Sequence, residues 1–366
     1  MPVCFRKTYI ADTRYESCGV FDVDGDGTLD IVCGEFWYEG PDFRRAHRVG
    51  DVAAAGEYFD DFSTIPLDVN GDGRLDFITG GWWGNTLRWR ENPGDSNKEW
   101  PVHVIAETGS IETTRAWDVD GDGVVELVPN TPGGPLVVYK LITDARGRGT
   151  ARFDAHRIFD GPQGHGLGWG DVSGSGRGDF VLARGWLEAP QDIYGGRWVF
   201  HDDFQLGSAS VPVLVVDVNG DGLNDLIVGQ SHAYGLDWWD QRIENGKRRR
   251  IKHPIDPHCS QYHDMQWADI DGCGRCELVT GKRYRAHCGR DPGEMDPIGT
   301  YYFKWDGESF SKQVIDYGPA RVGKGVGISF AMADLNGDGR PDIVAPGKDG
   351  LYVFYNEGLA GDKSAF

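Results

Sequence analysis

The chain has 366 residues and a formal net charge of −20 at pH 7. It contains no run of about 20 apolar residues, the length that a membrane-spanning helix needs. The acidic balance also argues against nucleic acid as a partner, because a phosphate backbone is bound by a basic protein face. Composition therefore predicts an acidic globular protein with neither a membrane partner nor a nucleic-acid partner.

The first predicted element is a strand over residues 4–10. It is similar to segments that precede later repeats, such as residues 101–105 and 310–315. After the last repeat loop the chain is long enough for only about three of the four strands of a propeller blade. Residues 4–10 are therefore predicted to complete the last blade as its outer strand, which closes a ring and protects its edges. The whole chain, 1–366, is predicted to be one domain.

The N-terminal segment shows no apolar stretch of signal-peptide length. The seven cysteines form an odd, scattered set that gives no disulfide framework. Both observations favour a cytoplasmic location. The alternative is a secreted protein whose signal peptide has been removed.

An acidic nine-residue loop occurs seven times along the chain and sets the fold prediction. The loops begin at Asp22, Asp68, Asp118, Asp171, Asp217, Asp269 and Asp334. Successive first residues lie 46, 50, 53, 46, 52 and 65 positions apart. A four-stranded propeller blade needs about 40–50 residues. The sequence therefore predicts an all-β protein, a seven-bladed β-propeller of four-stranded blades.

Most of these loops carry oxygen ligands at positions 1, 3, 5 and 9 and glycine at position 6, an arrangement that suits Ca²⁺. The fourth copy has Ser173 and Ser175 instead, and the sixth has Cys273, so structural calcium is predicted only for the other five copies. The predicted ligands are Asp22, Asp24, Asp26, Asp30, Asp68, Asn70, Asp72, Asp76, Asp118, Asp120, Asp122, Glu126, Asp217, Asn219, Asp221, Asp225, Asp334, Asn336, Asp338 and Asp342.

Each loop is followed by a β-type run and not by a helix. In this respect the chain resembles the FG-GAP/VCBS type of repeat, over essentially its whole length. That resemblance implies calcium loops that join the first and second strands of each blade.

The repeats can be aligned on one another to locate a site. Six residues before each loop, where the innermost strand is predicted to begin, three repeats are apolar and four carry imidazole or carboxylate groups. Two histidines and a carboxylate with an open position suit a catalytic divalent metal, with Zn²⁺ favoured. The alternative is a set of channel-lining polar groups on buried water. The four residues are Glu16, Glu112, His165 and His263.

A second set of polar and aromatic residues lies 13 to 15 positions after the start of each loop. The second strand is predicted to emerge there beside the start of the first strand, at the mouth of the central channel of the propeller. Crowded ionisable and aromatic groups in a concave mouth are typical of a reactive site. The longest insertion, residues 284–297, is predicted to overhang this mouth as a lid, although an irregular loop is the alternative. The predicted catalytic residues are His232, Tyr284, Arg184 and Lys282, and the predicted substrate-binding residues are Glu35, Trp37, Trp83, Trp186 and His287.

The histidine and glutamate mouth, together with the turns at 34–38 and 80–83, resembles the propeller domain of the aldos-2-ulose dehydratase (1,5-anhydro-D-fructose dehydratase) family. The resemblance implies a zinc ion at the bottom of a propeller cleft and elimination of water from a keto-sugar. The chain lacks the cupin and lectin-like domains of the fungal enzyme, so chemistry that needs the cupin site is not implied.

These observations predict a metal-dependent carbohydrate lyase or dehydratase that carries out β-elimination on a small keto-sugar. The metal would polarise the carbonyl, His232 or Tyr284 would remove the proton, and Arg184 and Lys282 would hold a carboxylate or an enolate. The alternatives are a polysaccharide lyase on uronic-acid chains and a non-enzymatic propeller that binds sugar or protein. The uneven distribution of polar residues among the repeats favours a single reaction centre, and the sequence gives no oligomeric state.

Overall fold

The computed structural model describes residues 1–361, and every regular element in them is a β-strand. Within these residues there is accordingly no helix long and apolar enough to cross a membrane. The strands form repeated four-stranded antiparallel sheets, each made of consecutive strands except where the two ends of the chain meet.

The N-terminal half begins with β1 (Val3–Ala11). The first repeat forms β2 (Gly19–Phe21), β3 (Asp30–Cys33), β4 (Phe36–Glu39) and β5 (Arg45–Arg48), and a short hairpin follows, β6 (Ala54–Ala55) and β7 (Tyr58–Phe59). The second repeat forms β8 (Ile65–Leu67), β9 (Asp76–Gly80), β10 (Thr86–Arg90) and β11 (Val102–Glu107). The third forms β12 (Thr113–Trp117), β13 (Glu126–Asn130), β14 (Leu136–Thr143) and β15 (Gly149–Phe159).

The second half follows the same order. The fourth repeat forms β16 (Leu167–Gly170), β17 (Asp179–Leu182), β18 (Arg184–Glu188) and β19 (Val199–Gln205). The fifth forms β20 (Val213–Val216), β21 (Asp225–Gly229), β22 (Leu236–Glu244) and β23 (Lys247–Pro254). The sixth forms β24 (Tyr262–Ala268), β25 (Glu277–Lys282), β26 (Ile298–Trp305) and β27 (Phe310–Gly318), and the seventh forms β28 (Ala331–Ala333), β29 (Asp342–Ala345) and β30 (Leu351–Leu359).

The first and last strands of the described residues share one sheet. Strand β1 pairs antiparallel with β30, with Phe5 opposite Asn356 and Tyr9 opposite Tyr352, so the sheet order is β1-β30-β29-β28. The first strands of neighbouring repeats also approach one another, as β2 does with both β8 and β28. Between β16 and β20 the approach is close enough for parallel pairing, because Gly168 has no side chain to collide with the Val213 carbonyl.

Apolar side chains fill the space between successive sheets. One buried cluster joins the third and fourth repeats, with Val128 and Val138 packed in the same cluster as Phe180 and Leu187. Another joins the first repeat to the seventh and includes Ile31 and Val353. The core is therefore divided among the interfaces between sheets, as stacked propeller blades require.

Each acidic loop is held by its own carboxylates. In the first copy Asp22 accepts the N–H groups of Gly25 and Gly27, at 2.8 and 2.9 Å, and both glycines have positive φ. The ninth residue, Asp30, accepts the Val23 and Gly40 N–H groups, each at 2.8 Å. Its equivalent accepts a backbone N–H in each of the other six copies. The loops therefore join the first and second strands of each sheet.

Candidate functional site

Four side chains from different repeats meet at one point. Glu112 precedes β12, His165 precedes β16, His263 lies in β24, and His232 lies in the turn after β21. One ligand atom from each lies within 4.8 Å of all the others. Glu112 and His263 are buried, and the other two are half-buried. We call these four residues the His/Glu cluster.

The contacts within the cluster are short. Glu112 Oε1 lies 2.9 Å from His263 Nε2 and 3.3 Å from His165 Nε2. His165 Nε2 lies in turn 3.0 Å from His232 Nε2. One carboxylate oxygen and three imidazole nitrogens therefore converge, which is a donor set that suits Zn²⁺ or another divalent transition metal.

The outer contacts of two of the imidazoles fix where their lone pairs point. His165 Nδ1 lies 2.8 Å from the carbonyl oxygen of Ala209, which can only accept, so this nitrogen carries the proton. His232 Nδ1 lies 3.0 Å from Asp291 Oδ2 and donates in the same way. In the neutral rings both Nε2 atoms then present lone pairs to each other at 3.0 Å. A proton or a metal ion must lie between them.

The electrostatics of the cluster agree with this requirement. Burial alone would raise the pKa of Glu112, but His165 and His263 hold it well below its usual range. Burial lowers the pKa of His263 to about 3 and, helped by the neighbouring histidines, lowers that of His232 even further. Burial also opposes protonation of His165, yet the Glu112 carboxylate outweighs it and raises the pKa. The metal-free cluster therefore concentrates its proton on His165, where a divalent ion would displace it.

Glu16 does not join the cluster, which corrects its assignment as a metal ligand. Its carboxylate accepts the Nε and Nη2 groups of Arg283 at 2.8 and 3.1 Å, and Lys348 Nζ lies 3.2 Å away. These two cations outweigh burial and lower the pKa of Glu16 to about 2. Burial lowers the pKa of Lys348, whereas Glu16 and Glu112 raise that of Arg283 despite its burial. Glu16 thus supports Arg283 beside the cluster.

The cluster opens into a cavity of about 710 Å³. The cavity receives side chains from the starts of the first strands, from the ends of the second strands, and from the connection between β25 and β26. It is lined by Ala55, Tyr58, Phe62, Trp82, Trp83, Glu112, Pro132, His165, Ser208, His232, Arg283, Ala286, His287 and Arg290. A volume of this size accommodates a small organic ligand such as a monosaccharide.

The insertion predicted as a lid does contribute to the cavity wall, through Ala286, His287 and Arg290. The His287 ring stacks on that of His232, with centroids 3.8 Å apart and planes 6° apart. Both rings bond to Asp291, since His287 Nδ1 lies 2.8 Å from the oxygen of Asp291 that His232 does not use. Asp291 therefore orients one imidazole in the His/Glu cluster and one at the cavity wall.

Two predicted catalytic assignments are corrected by these contacts. His232 has no nitrogen free to act as a base, because Nδ1 is bonded to Asp291 and Nε2 faces His165. Tyr284 is half-buried and does not line the cavity.

The two predicted cationic groups also lie elsewhere. Arg184 is exposed and pairs with Asp202. Lys282 is buried and its Nζ donates to Ser260 Oγ, Gln261 Oε1 and the Gly293 carbonyl at 2.6, 3.0 and 2.6 Å, which anchors the lid. Neither lines the cavity, so neither is placed to hold a ligand there.

Among the predicted substrate-binding residues, the structure places Trp83 and His287 at the cavity and three others away from it. Glu35 accepts the Val52 N–H at 3.1 Å. Trp37 and Trp186 are buried, and each stacks on a histidine of the neighbouring outer strand.

This indole–imidazole stack is a packing device of the repeats. It recurs between directly paired residues of the third and fourth strands, with ring centroids 4.1 to 4.7 Å apart. Trp37 and Trp186 are therefore structural and not platforms for a sugar. The four pairs are Trp37–His47, Trp89–His103, Trp186–His201 and Trp238–His253.

Two of the acidic loops contain a lysine. Lys140 Nζ lies 2.6 Å from Asp122 and 3.1 Å from Glu126, and it also bonds Asp120. Those bonds raise the pKa of Lys140, although burial alone would lower it. In the sixth copy Lys304 bonds Asp271 in the same manner. Asp118, Asp120 and Asp122 lie close enough together to hold an ion. Calcium in the third copy, Asp118 to Glu126, therefore stays a prediction, and it requires the Lys140 ammonium group to leave these carboxylates.

Internal alignment could not have found Asp291 or Tyr58. Asp291 lies in the insertion after β25, and Tyr58 lies in the hairpin β6–β7, and neither segment has a counterpart in the other repeats. The one sequence signal was the histidine four residues before Asp291 in the predicted lid.

Comparison with known proteins agrees with the fold. A family model of the FG-GAP-like repeat matches residues 68–128. No curated protein sequence matches the chain. The chain has a β-propeller-type fold with an FG-GAP-like repeat.

Solved structures show likeness at low identity. The BBS1N chain solved in complex with ARL6DN and soaked with lead is 10% identical, with 98% of each chain covered and a TM-score of 0.57. The mercury-soaked form is 11% identical, with 99% and 98% covered and a TM-score of 0.55. An Agrocybe aegerita lectin that recognises non-reducing terminal N-acetylglucosamine is 16% identical, with 95% of this chain and 91% of the lectin covered and a TM-score of 0.48. At such identities the likeness concerns the fold alone.

Proposed function

We propose that the seven sets of four strands are the seven blades of one closed β-propeller. The repeat spacing supports this architecture, as does the pairing of β1 with β30. The apolar cluster that joins the first repeat to the seventh supports it as well. In such a ring the His/Glu cluster lies at one mouth of the central channel, where distant blades converge.

We propose further that the protein is a divalent-metal-dependent carbon–oxygen lyase that eliminates water from a small carbohydrate. The observation that carries this proposal is the pair of Nε2 atoms of His165 and His232 that face each other at 3.0 Å with both outer nitrogens committed as donors. Glu112, His165, His232 and His263 would hold the metal, with Zn²⁺ favoured. Structural calcium remains our prediction for the first, second, fifth and seventh loops, and for the third loop once Lys140 leaves it.

A bound metal would act as a Lewis acid on a carbonyl or carboxylate oxygen and so acidify the neighbouring C–H group. The residue that removes the proton is His287. Its Nδ1 donates to Asp291, which leaves Nε2 as the basic nitrogen, and its ring is exposed at the cavity wall. This arrangement, an imidazole oriented by a carboxylate, is typical of a general base. Trp82 and Trp83 line the same cavity and offer aromatic faces to a sugar ring.

The experiment is an assay for unsaturated product from keto-monosaccharides, with the wild type, His287→Gln and the matched variant His258→Gln, a histidine that does not line the cavity. Loss of a positioned general base lowers kcat by about 100- to 10,000-fold, so His287→Gln is expected to lose turnover while its metal content stays unchanged. Full activity of His287→Gln would contradict the role of the base. Absence of turnover on every carbohydrate tested would contradict the lyase.

A second candidate is a sugar-binding propeller without catalysis. The side chains of Trp82 and Trp83 favour it, because they are 38% and 40% exposed beside an otherwise packed site. Binding of neutral sugars without turnover would establish this alternative. A small carbohydrate partner and a cytoplasmic location remain predictions under either function.

A further inference from the structure

We propose that the cavity binds a sugar acid, with its carboxylate held by Arg283 and Arg290. This inference rests on the proposed function and deepens it, since it names the class of substrate that the elimination acts on. Three observations support it: a guanidinium nitrogen of Arg283 that makes no hydrogen bond within residues 1–361, a second arginine, Arg290, that is unpaired within the same residues, and the scarcity of acids on the cavity wall.

The first observation concerns Nη1 of Arg283. The side chain is 2% exposed, and its Nε and Nη2 groups are fully used by Glu16. Within residues 1–361, Nη1 makes no hydrogen bond, and Glu112 Oε1 is 4.0 Å away. Arg283 nevertheless lines the cavity. A guanidinium N–H at the cavity that has no acceptor within these residues can donate a charge-assisted hydrogen bond to a bound ligand.

Glu16 is shared between two buried cations, Arg283 and Lys348. Lys348 Nζ also donates to the Arg285 carbonyl at 2.7 Å. The second carboxylate near Arg283 is Glu112, which lies 4.0 Å from Nη1 and is itself in contact with His263 and His165. Among the described residues, Nη1 therefore has no carboxylate within hydrogen-bond distance, and a bound anion beside it would supply one.

The second cation is Arg290, which lies in the lid. It is exposed, lines the cavity, and forms no hydrogen bond or ion pair in the part of the chain that the structure describes. Among the cavity-lining residues the acid is Glu112, and it is committed to two histidines. In a protein with a net charge of −20, a cavity with these groups attracts anions locally.

A carboxylate fits better than a neutral keto group at this position, because it accepts charge-assisted hydrogen bonds from guanidinium groups. The adjacent C–H becomes acidic when neighbouring cations neutralise the charge of the carboxylate. In the elimination the α C–H bond breaks and its proton passes to His287 Nε2. The β C–O bond breaks, the hydroxyl takes up the proton that His287 carries and leaves as water, and a C=C bond forms. The step needs no oxidant or reductant.

The test is calorimetric binding of three probes to the metal-loaded protein: D-gluconate, D-glucose and glucose 6-phosphate. A charge-assisted bond accounts for about tenfold in affinity or more. Gluconate is expected to bind at least about tenfold more tightly than glucose, and Arg290→Gln is expected to remove most of that difference without changing glucose binding. The matched control is Arg152→Gln, an exposed arginine outside the cavity, for which binding should be unchanged.

Equal binding of gluconate and glucose would overturn the inference, as would an equal loss of both in Arg290→Gln. Tighter binding of glucose 6-phosphate than of gluconate would overturn the assignment of a carboxylate site and would indicate a site for sugar phosphates. Failure of the sugar-acid site can be distinguished from failure of the proposed lyase activity. Selective binding of gluconate with no elimination from any sugar would refute the lyase and leave the sugar-acid site, whereas turnover of neutral keto-sugars without gluconate binding would do the reverse.

Discussion

At the scale of single residues, the site depends on which nitrogen of each imidazole carries a proton. Asp291 decides this for two rings at once, because His232 and His287 both donate to it. A carboxylate that orients a metal-bound histidine is a common second layer around metal sites. Asp291 is thus a positioning residue that links the proposed metal ligand His232 to the proposed base His287.

The variant Asp291→Asn tests this link. The amide introduced by Asp291→Asn can donate its N–H group to Nδ1 of either ring. That Nδ1 would then accept a hydrogen bond, and the proton of the neutral ring would move to Nε2. Loss of such an outer partner typically costs about 10- to 100-fold in metal affinity, and we expect that loss together with lower kcat. Metal affinity is measured by competition with a chelator. The control is Asp296→Asn in the same insertion, whose carboxylate bonds Tyr234 and not a histidine; equal effects of both variants would show that only the lid's stability is involved.

At the scale of elements, one position at the third strand of each sheet places a side chain beside the acidic loop. This position is opposite the ninth residue of the loop. It is occupied by Lys140 and Lys304 in two repeats and by an acidic residue in four others. In the second repeat that acid, Glu91, lies 3.2 Å from the Asn70 amide of its loop. The acids are Glu39, Glu91, Glu188 and Asp240. Two repeats therefore place an ammonium group beside the loop carboxylates, whereas four repeats place a further carboxylate there.

We therefore expect Lys140→Glu to gain one calcium site. Removing the ammonium group leaves Asp120, Asp122 and Glu126 uncompensated, and the new carboxylate adds an oxygen ligand. The number of calcium ions bound per chain is measured by calorimetry against the wild type. Lys98→Glu, at an exposed lysine paired with Asp95, serves as the control. An unchanged number in Lys140→Glu would contradict the role given to this position.

Sequence reasoning reached the sheets and the location of the site but not its chemistry. The periodic loops and the polar residues at aligned positions led to Glu112, His165 and His263 because every blade repeats the same geometry. The prediction that Trp37 and Trp186 bind substrate was wrong, because both side chains pack on histidines of the neighbouring strand. The sequence alone does not indicate that strand pairing. Asp291 and Tyr58 lie in insertions, where the repeats provide no alignment.

At the scale of the whole molecule, the ninth carboxylates of the loops connect calcium, pH and stability. Burial raises the pKa values of Asp30, Asp76, Asp225 and Asp342 to about 6, from an ordinary value of 3.8. Each group thus binds its proton more tightly in the folded chain than in the unfolded chain. Its stabilising contribution is complete below pH 3.8 and is lost as the pH rises through about 6.

We expect the free energy of unfolding in chelator to fall as the pH rises from about 4 to about 7. Calcium should restore stability above pH 6, because a bound cation favours the ionised carboxylates. Denaturant unfolding at several pH values, with and without calcium, measures both effects. A gap between the two curves that does not widen with pH would contradict the coupling.

The central claim is that the His/Glu cluster holds a divalent metal, and elemental analysis of protein purified without chelator tests it most directly. The wild type is compared with His165→Ala/His263→Ala and with His103→Ala/His253→Ala, which removes two histidines from outer strands instead. We predict about one zinc or similar ion per chain in the wild type and the control. The cluster variant should lose that ion and keep its calcium. Calcium alone in all three proteins, or a zinc content that the cluster variant retains, would contradict the account.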